Sequence, residues 1–176
     1  PLGLNDTNDV SSPTQVPGTW GTSELSICGY NYFTAGVKAN GTLWTWGNNG
    51  DGQLGLNDKI KRSSPTQVGT DTDWSKLQHS GSYGMGCIKT DGTLWVWGQN
   101  NKGQLGQNES GPGNNKSSPT QIPGTWSQAT CTLGGRLAIK TDGTLWAWGL
   151  NDSGQMGHNN RTEYSSPRQV PGTTWH

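Results

Sequence analysis

Residues 42–57 read TLWTWGNNGDGQLGLN, residues 93–108 read TLWVWGQNNKGQLGQN and residues 144–159 read TLWAWGLNDSGQMGHN, so the copies recur every 51 residues. A second element follows each copy after a loop of varying length: SSPTQV at 63–68, SSPTQI at 117–122 and SSPRQV at 165–170. A fourth copy, SSPTQV, occupies 11–16. A period near fifty, with short apolar runs between turn residues and no helical spacing, predicts β-propeller blades and not a helical solenoid. Just before each copy stand Asn40-Gly41, Asp91-Gly92 and Asp142-Gly143. Such pairs favour positive φ, so each is expected to close a type I′ hairpin between two antiparallel strands. Side chains alternate along the strand that follows, which puts Trp44 and Trp46 on one face and Leu43 and Thr45 on the other. Trp95 with Trp97 and Trp146 with Trp148 repeat the arrangement, and these pairs are expected to pack between neighbouring blades. The expected fold is all-β: about three tandem propeller blades of about four antiparallel strands each, plus an extra N-terminal segment.

Composition points the same way. Only 28% of the 176 residues are hydrophobic while 28 are glycine, too few aliphatic side chains for a broad packed interior. Ten tryptophans compensate, each able to bury roughly 200 Å² in a thin sheet. Twelve basic and twelve acidic residues cancel, which argues against nucleic acid or an anionic membrane as a partner. The one basic cluster, Lys59, Lys61 and Arg62, is read as a solvated loop. No run of eighteen apolar residues exists, and residues 1–9 carry no features of a targeting segment.

The chain offers no set of residues for chemistry. Cys28, Cys87 and Cys131 are widely spaced and are expected to be free thiols. His79, His158 and His176 share no repeat position. Asn49-Gly50-Asp51-Gly52 and Asn151-Asp152-Ser153-Gly154 have the composition of calcium loops, but the second copy places Asn101-Lys102 there, which argues against a repeated metal site. No nucleophile, base and acid fall into a catalytic spacing, so the expectation is a protein without enzymatic activity, cofactor or metal. Sequons at Asn5, Asn40, Asn108, Asn115, Asn151 and Asn160 are explained equally well by a chain rich in Asn, Ser and Thr.

The pattern W-G-x-N-x-x-G-Q-L-G resembles the signature of the regulator of chromosome condensation repeats. It is carried by Trp46, Gly47, Asn49, Gly52, Gln53 and Gly55, by Trp97, Gly98, Asn100, Gly103, Gln104 and Gly106, and by Trp148, Gly149, Asn151, Gly154, Gln155 and Gly157, with Met156 for the leucine. The resemblance covers nearly the whole chain and implies a β-propeller, commonly seven-bladed. Where that family often has a His ahead of the first hairpin strand, this chain has Phe33, Gly84 and Gly135, so no function of that His carries over. All eighteen signature residues are read as structural, the glycines for a sharp turn beside the hub and the glutamines for bonds to backbone within it.

Three units, 21–74, 75–126 and 127–176, follow a partial repeat at 1–20. Residues 3–20 duplicate residues 157–175 instead of complementing them, so the ring is incomplete unless copies associate head to tail through blade edges or the array belongs to a longer chain. Function is expected on the variable loops 58–62, 107–116 and 159–164. The middle loop is the first candidate for a protein partner, through Asn108, Glu109, Asn114, Asn115 and Lys116. The leading expectation is a protein-binding or structural scaffold, of a kind that the resemblance also places in bacterial surface and phage structural chains. Carbohydrate binding through Tyr30, Tyr32 and Tyr83 is the second. The resemblance further implies nucleotide exchange on a small GTPase, the founding member's activity, or inhibition of a secreted enzyme, though nothing outside the repeats supports either.

Overall fold

The computed structural model describes residues 2–23, 25–30, 32–78, 84–172 and 175, with only the backbone of Tyr30. His79, Tyr83 and His176 lie outside the described residues.

Among the described residues, twelve strands form three four-stranded antiparallel sheets, each in simple chain order. The first holds β1 (Ile27–Tyr30), β2 (Phe33–Val37), β3 (Leu43–Gly47) and β4 (Arg62–Gln67). The second holds β5 (Trp74–Leu77), β6 (Gly84–Lys89), β7 (Leu94–Gly98) and β8 (Lys116–Ile122). The third holds β9 (Trp126–Thr132), β10 (Gly135–Lys140), β11 (Leu145–Gly149) and β12 (Tyr164–Gln169). These are three propeller blades that do not close into a ring, and the helical content among the described residues is one 3₁₀ turn at Pro112–Asn114. The S-S-P-x-Q element is the outermost strand of every blade, where a proline's missing N–H faces no neighbour. Its N-terminal copy at 11–16 is not a strand, because no third strand lies beside it to pair with.

The hairpins fall where expected but differ in type. Lys38 N–H donates to Thr42 O at 2.9 Å and Gly41 N–H to Lys38 O at 2.9 Å, enclosing three residues; 89–93 and 140–144 repeat this. Only the glycines take positive φ, at 78°, 82° and 81°. Asn40, Asp91 and Asp142 do not, because each side chain accepts bonds from the N–H and hydroxyl of the threonine two residues on. A three-residue loop with its glycine in the left-handed region results in place of the two-residue type I′ turn.

The core lies between blades. Ala35, Val37, Leu43, Leu54 and Val68 of the first blade pack against Trp74, Leu77, Met85, Cys87 and Trp97 of the second. Leu94, Val96, Leu105 and Ile122 of the second meet Trp126, Ala138 and Trp148 of the third. The second and third tryptophan pairs therefore sit between blades as expected, whereas in the first blade Trp46 packs against Trp20 and Gly3 of the N-terminal segment. Trp97 and Trp148 are fully buried, while Trp95 and Trp146 are half-buried toward the rim. Burial pushes the Cys28 and Cys87 thiols up to about 12, so both are inert.

Arg136, only 1% exposed, is an exception to the apolar core. Its Nε donates to Gln104 O at 2.9 Å, one terminal nitrogen to Met85 O at 2.7 Å and the other to Gln78 Oε1. No carboxylate pairs with it among the described residues, and burial pulls its pKa below the usual arginine range. It staples β10 onto the second blade at the position held there by Met85 and in the first blade by Thr34.

Arg136→Ala, which leaves a void and orphans Gln78, is expected to lower the unfolding free energy by about 3 kcal/mol. Arg136→Met, the second blade's own solution, should stay within about 1 kcal/mol of the parent; urea titration followed by tryptophan emission reads both. Hydrogen bonds from Thr93 and Thr144 hold the Asp91 and Asp142 carboxyls below the usual range. With folded pKa values depressed, their support is present above the unfolded pKa, about 4, and is lost as pH falls through the folded values. Unfolding titrations from pH 7 to 2 should show that loss, and the double variant Asp91→Asn, Asp142→Asn, which keeps the acceptor oxygens, should flatten it.

Candidate functional site

In the first blade the β1–β2 connection and the long β3–β4 loop leave at the same end, as do the β9–β10 and β11–β12 connections of the third. Asn48 N–H donates to Tyr32 O at 2.7 Å, and Leu150 N–H to Gly134 O at 2.8 Å. Each long loop is built on a buried asparagine. Asn49 Oδ1 accepts Leu54 N–H at 2.9 Å, while its Nδ2 donates to Asp58 O at 3.0 Å and Ile60 O at 3.2 Å. Asn100 bonds Leu105 N–H and Glu109 O, both at 3.0 Å, and Asn151 bonds Met156 N–H, Asn160 O and Thr162 O, all at 3.0 Å. The glutamines tighten the turn: Gln53, Gln104 and Gln155 accept the N–H of Asp51, Lys102 and Ser153.

These turns also join the blades. Trp97 Nε1 donates to Gln53 O and Trp148 Nε1 to Gln104 O, both at 3.0 Å. The close approach requires glycine: a Cβ on Gly55 or Gly106 would lie 2.8 Å from the indole nitrogen, at φ of 71° and 65°. Beyond the turn, Asn57 and Asn108 adopt left-handed φ of 61° and 60° and donate N–H to Ser117 O and Ser165 O of the next blade at 2.8 Å. Asn108, expected on the partner-binding loop, thus spends its backbone on the junction.

The remaining candidates of the middle loop are tied down. Glu109 pairs with Lys116, Asn114 Nδ2 donates to Ser110 O at 2.7 Å, and Asn115 accepts Asn100 N–H at 2.8 Å while donating to Asp51 Oδ1 of the neighbouring loop at 2.9 Å. Lys102 and Glu163 link the second and third loops at 3.0 Å. In the first loop Arg62 meets Asp58 at 2.6 Å, and the Ile60 N–H, with Arg62, lowers the Asp58 pKa.

The same face carries three exposed apolar side chains, of which Leu133 lay outside every candidate expected from the sequence. Tyr32 is 61% exposed, Ile60 64% and Leu133 71%. A cleft of about 620 Å³ opens beside Tyr32, lined by Leu2, Asp9, Asn48, Lys61 and Arg62 among others. Ile60 and Leu133 fall at points where the repeats differ, and that divergence was the available signal. His158 lies 3.2 Å from Ala147 O and edge-on to Tyr164, and no cluster of three or more potential metal ligands occurs among the described residues.

Asn100→Ala strips both bonds from a buried donor and acceptor and is expected to lower stability by about 2 kcal/mol. Limited proteolysis should then cut within 107–115, where the parent resists.

The sequence matches the Regulator of chromosome condensation (RCC1) repeat over residues 40–84, 91–132 and 142–174, and a second description of that repeat over 26–53. It is 25% identical to the mouse E3 ubiquitin-protein ligase HERC2 across 97% of this chain and 4% of that protein. It is 25% identical to the Arabidopsis thaliana ultraviolet-B receptor UVR8 across 96% of this chain and 39% of the receptor. The chain therefore spans well under half the length of either relative. Among solved structures, Saccharomyces cerevisiae Prp20p superposes with a TM-score of 0.73 at 16% identity, over 84% of this chain and 38% of that one. The spacing of the signature, the Gln–Trp junctions it builds and the match over most of its length show that this chain belongs to the regulator of chromosome condensation repeat family.

Proposed function

We propose that the chain is a non-enzymatic protein-binding scaffold whose partner docks on the loop face. The observation that carries this reading is a preformed surface at one end of all three blades. Tyr32, Ile60 and Leu133 stand exposed among charged loops that buried Asn49, Asn100 and Asn151 hold in shape. Exposed apolar side chains with a charged rim on a rigid support are the usual anatomy of a protein interface. Prp20p, a structural neighbour, has described binding to Gsp1p and histones, which is in keeping with a protein partner for this fold. Within the face, Glu109, Asn114, Asn115 and Lys116 form the first contact loop, and Tyr32 with Leu133 supplies the apolar anchor.

A carbohydrate reading draws on Tyr32 and has less behind it. The rims of the half-buried indoles are taken: Lys38 Nζ sits 3.6 Å from the centre of the Trp44 ring and Lys140 Nζ 3.9 Å from that of Trp146.

The test is crosslinking of the captured partner. Proteins retained from the source cell by immobilised chain should crosslink through Lys59, Lys61 and Lys102, and retention should fall about tenfold in the variant Tyr32→Ala, Leu133→Ser. Crosslinks confined to Lys38 and Lys140 at the opposite end would overturn the proposal. A glycan array bound by the parent and lost on Tyr32→Ala would favour the sugar reading instead.

A further inference from the structure

Each blade carries a lysine at the same place, and only one of the three is neutralised. Lys38, Lys89 and Lys140 stand at the end of the second strand of their blades, each donating its main-chain N–H to the threonine that closes the hairpin. Each ammonium lies between two indoles. Lys38 Nζ sits 5.4 Å from the centre of the Trp20 ring and 3.6 Å from that of Trp44, Lys89 Nζ 4.7 Å from Trp74 and 5.1 Å from Trp95, and Lys140 Nζ 5.3 Å from Trp126 and 3.9 Å from Trp146. In the second blade two carboxylates close over the cation: Lys89 Nζ lies 2.6 Å from Asp71 Oδ2 and 3.0 Å from Asp73 Oδ1, which leaves its side chain 9% exposed. Lys38 and Lys140 form no ion pair among the described residues. Asp142, two residues beyond Lys140, bonds Thr144 instead.

The difference lies in the segment that leads into each blade. It reads Val68-Gly69-Thr70-Asp71-Thr72-Asp73-Trp74 ahead of the second blade, but Ile122-Pro123-Gly124-Thr125-Trp126 ahead of the third and Val16-Pro17-Gly18-Thr19-Trp20 ahead of the first. The main-chain junction is the same in all three: Thr90 N–H donates to Asp73 O, Thr141 N–H to Thr125 O and Ala39 N–H to Thr19 O. Asp73 therefore occupies the place that Thr125 and Thr19 hold elsewhere, and Asp71 comes with the longer segment. The shorter segments lay a glycine against the lysine stem: a Cβ on Gly124 would stand 3.3 Å from Lys140 Cε, and one on Gly18 3.2 Å from Lys38 Cε. Gly124, Thr125 and Thr141 are exposed, and a hollow of about 540 Å³ lies beside Lys38, lined by Thr19, Ala39 and Asn40. An indole face holds a cation in place without neutralising it, so both ammonium groups keep their charge for a partner.

We propose that Lys140, with its counterpart Lys38, is a carboxylate-binding site for an acidic segment of a partner protein, and that Asp71-Thr72-Asp73 is the chain's own copy of that ligand. Aspartates two residues apart bring both carboxylates onto one ammonium in the second blade, which identifies the ligand as an Asp-x-Asp segment and not as any anion. The Thr125 and Thr141 hydroxyls, 3.0 Å apart beside Lys140, offer it further hydrogen bonds. The second blade is filled from within and takes no such ligand. The site lies at the hairpin end of the blades, opposite the loop face, so its occupant leaves Tyr32, Ile60 and Leu133 free.

The test titrates the full chain with the peptide acetyl-Gly-Thr-Asp-Thr-Asp-amide while the indole N–H resonances are followed by NMR. Trp44, Trp95 and Trp146 each donate to a threonine hydroxyl of their own hairpin, at 2.8, 2.9 and 2.9 Å, so each reports on its own lysine. Trp44 and Trp146 should shift with a Kd on the order of 1 mM while Trp95 stays in place. Lys140→Gln should weaken the Trp146 response about tenfold and spare that of Trp44. Asp71→Asn combined with Asp73→Asn empties the second blade's site and should bring Trp95 into the response. An unmoved Trp146, a shift that survives Lys140→Gln, or equal shifts from acetate, inorganic phosphate or the Asn version of the peptide would overturn the inference. Should Lys140→Gln lose its near-ultraviolet dichroism, the doubly substituted Asp71→Asn, Asp73→Asn chain decides: a Trp95 response to the peptide supports the site, and its absence refutes it.

Discussion

Everything in this fold leans on an indole N–H reaching across a blade junction to a glutamine carbonyl. Trp97 and Trp148 each find a partner there for their one donor, and a thin sheet with few aliphatic side chains needs the area that the ring supplies. The GQLG turn presents that carbonyl. It does so only because glycine on either side lets the backbone come within van der Waals reach of the ring and of the next outer strand. The turn in turn keeps its shape because a buried asparagine satisfies the backbone groups that the turn itself leaves open. Trp, Gly, Gln and Asn in the repeat are one mechanism seen from four sides.

Placing the core between blades makes the array nearly one-dimensional, with each blade completed by its neighbour. Interior junctions can then tolerate change at single positions, as Thr34, Met85 and Arg136 show at one site near the hub. The arginine is accommodated because three neutral acceptors surround it, two of them main-chain carbonyls.

The blade architecture and the burial of the tryptophan pairs were legible because they follow from periodicity and from alternation along a strand. Other features depend on competition that a residue pattern does not record. Asn40-Gly41 invites a two-residue turn, but the Asn40 carboxamide finds Thr42 and holds the chain in a three-residue loop. SSPTQV reads the same at 11–16 and at 63–68, yet only the second copy is a strand, because strand formation there is conferred by β3. The role of Asn49 was hidden because its partners at Asp58 and Ile60 lie in the variable part of the loop, where it bonds main-chain carbonyls and the Asp58 carboxylate. Tyr32, Ile60 and Leu133 are far apart in the chain and stand exposed at one end of the blades only through the strand order.

That face behaves as a unit and not as three separate loops. Asn115 bridges to Asp51 and Lys102 to Glu163, so each loop is tied to its neighbour. The exposed ion pair adds little by itself, since such pairs contribute about 0–1 kcal/mol. The rigidity comes instead from buried amide bonds beneath the surface, which fix the main chain while leaving outward side chains free to vary. A scaffold organised this way separates two demands that usually conflict: the buried asparagines that hold each loop are not residues that a partner would touch, so recognition can diverge from repeat to repeat without loosening the blade.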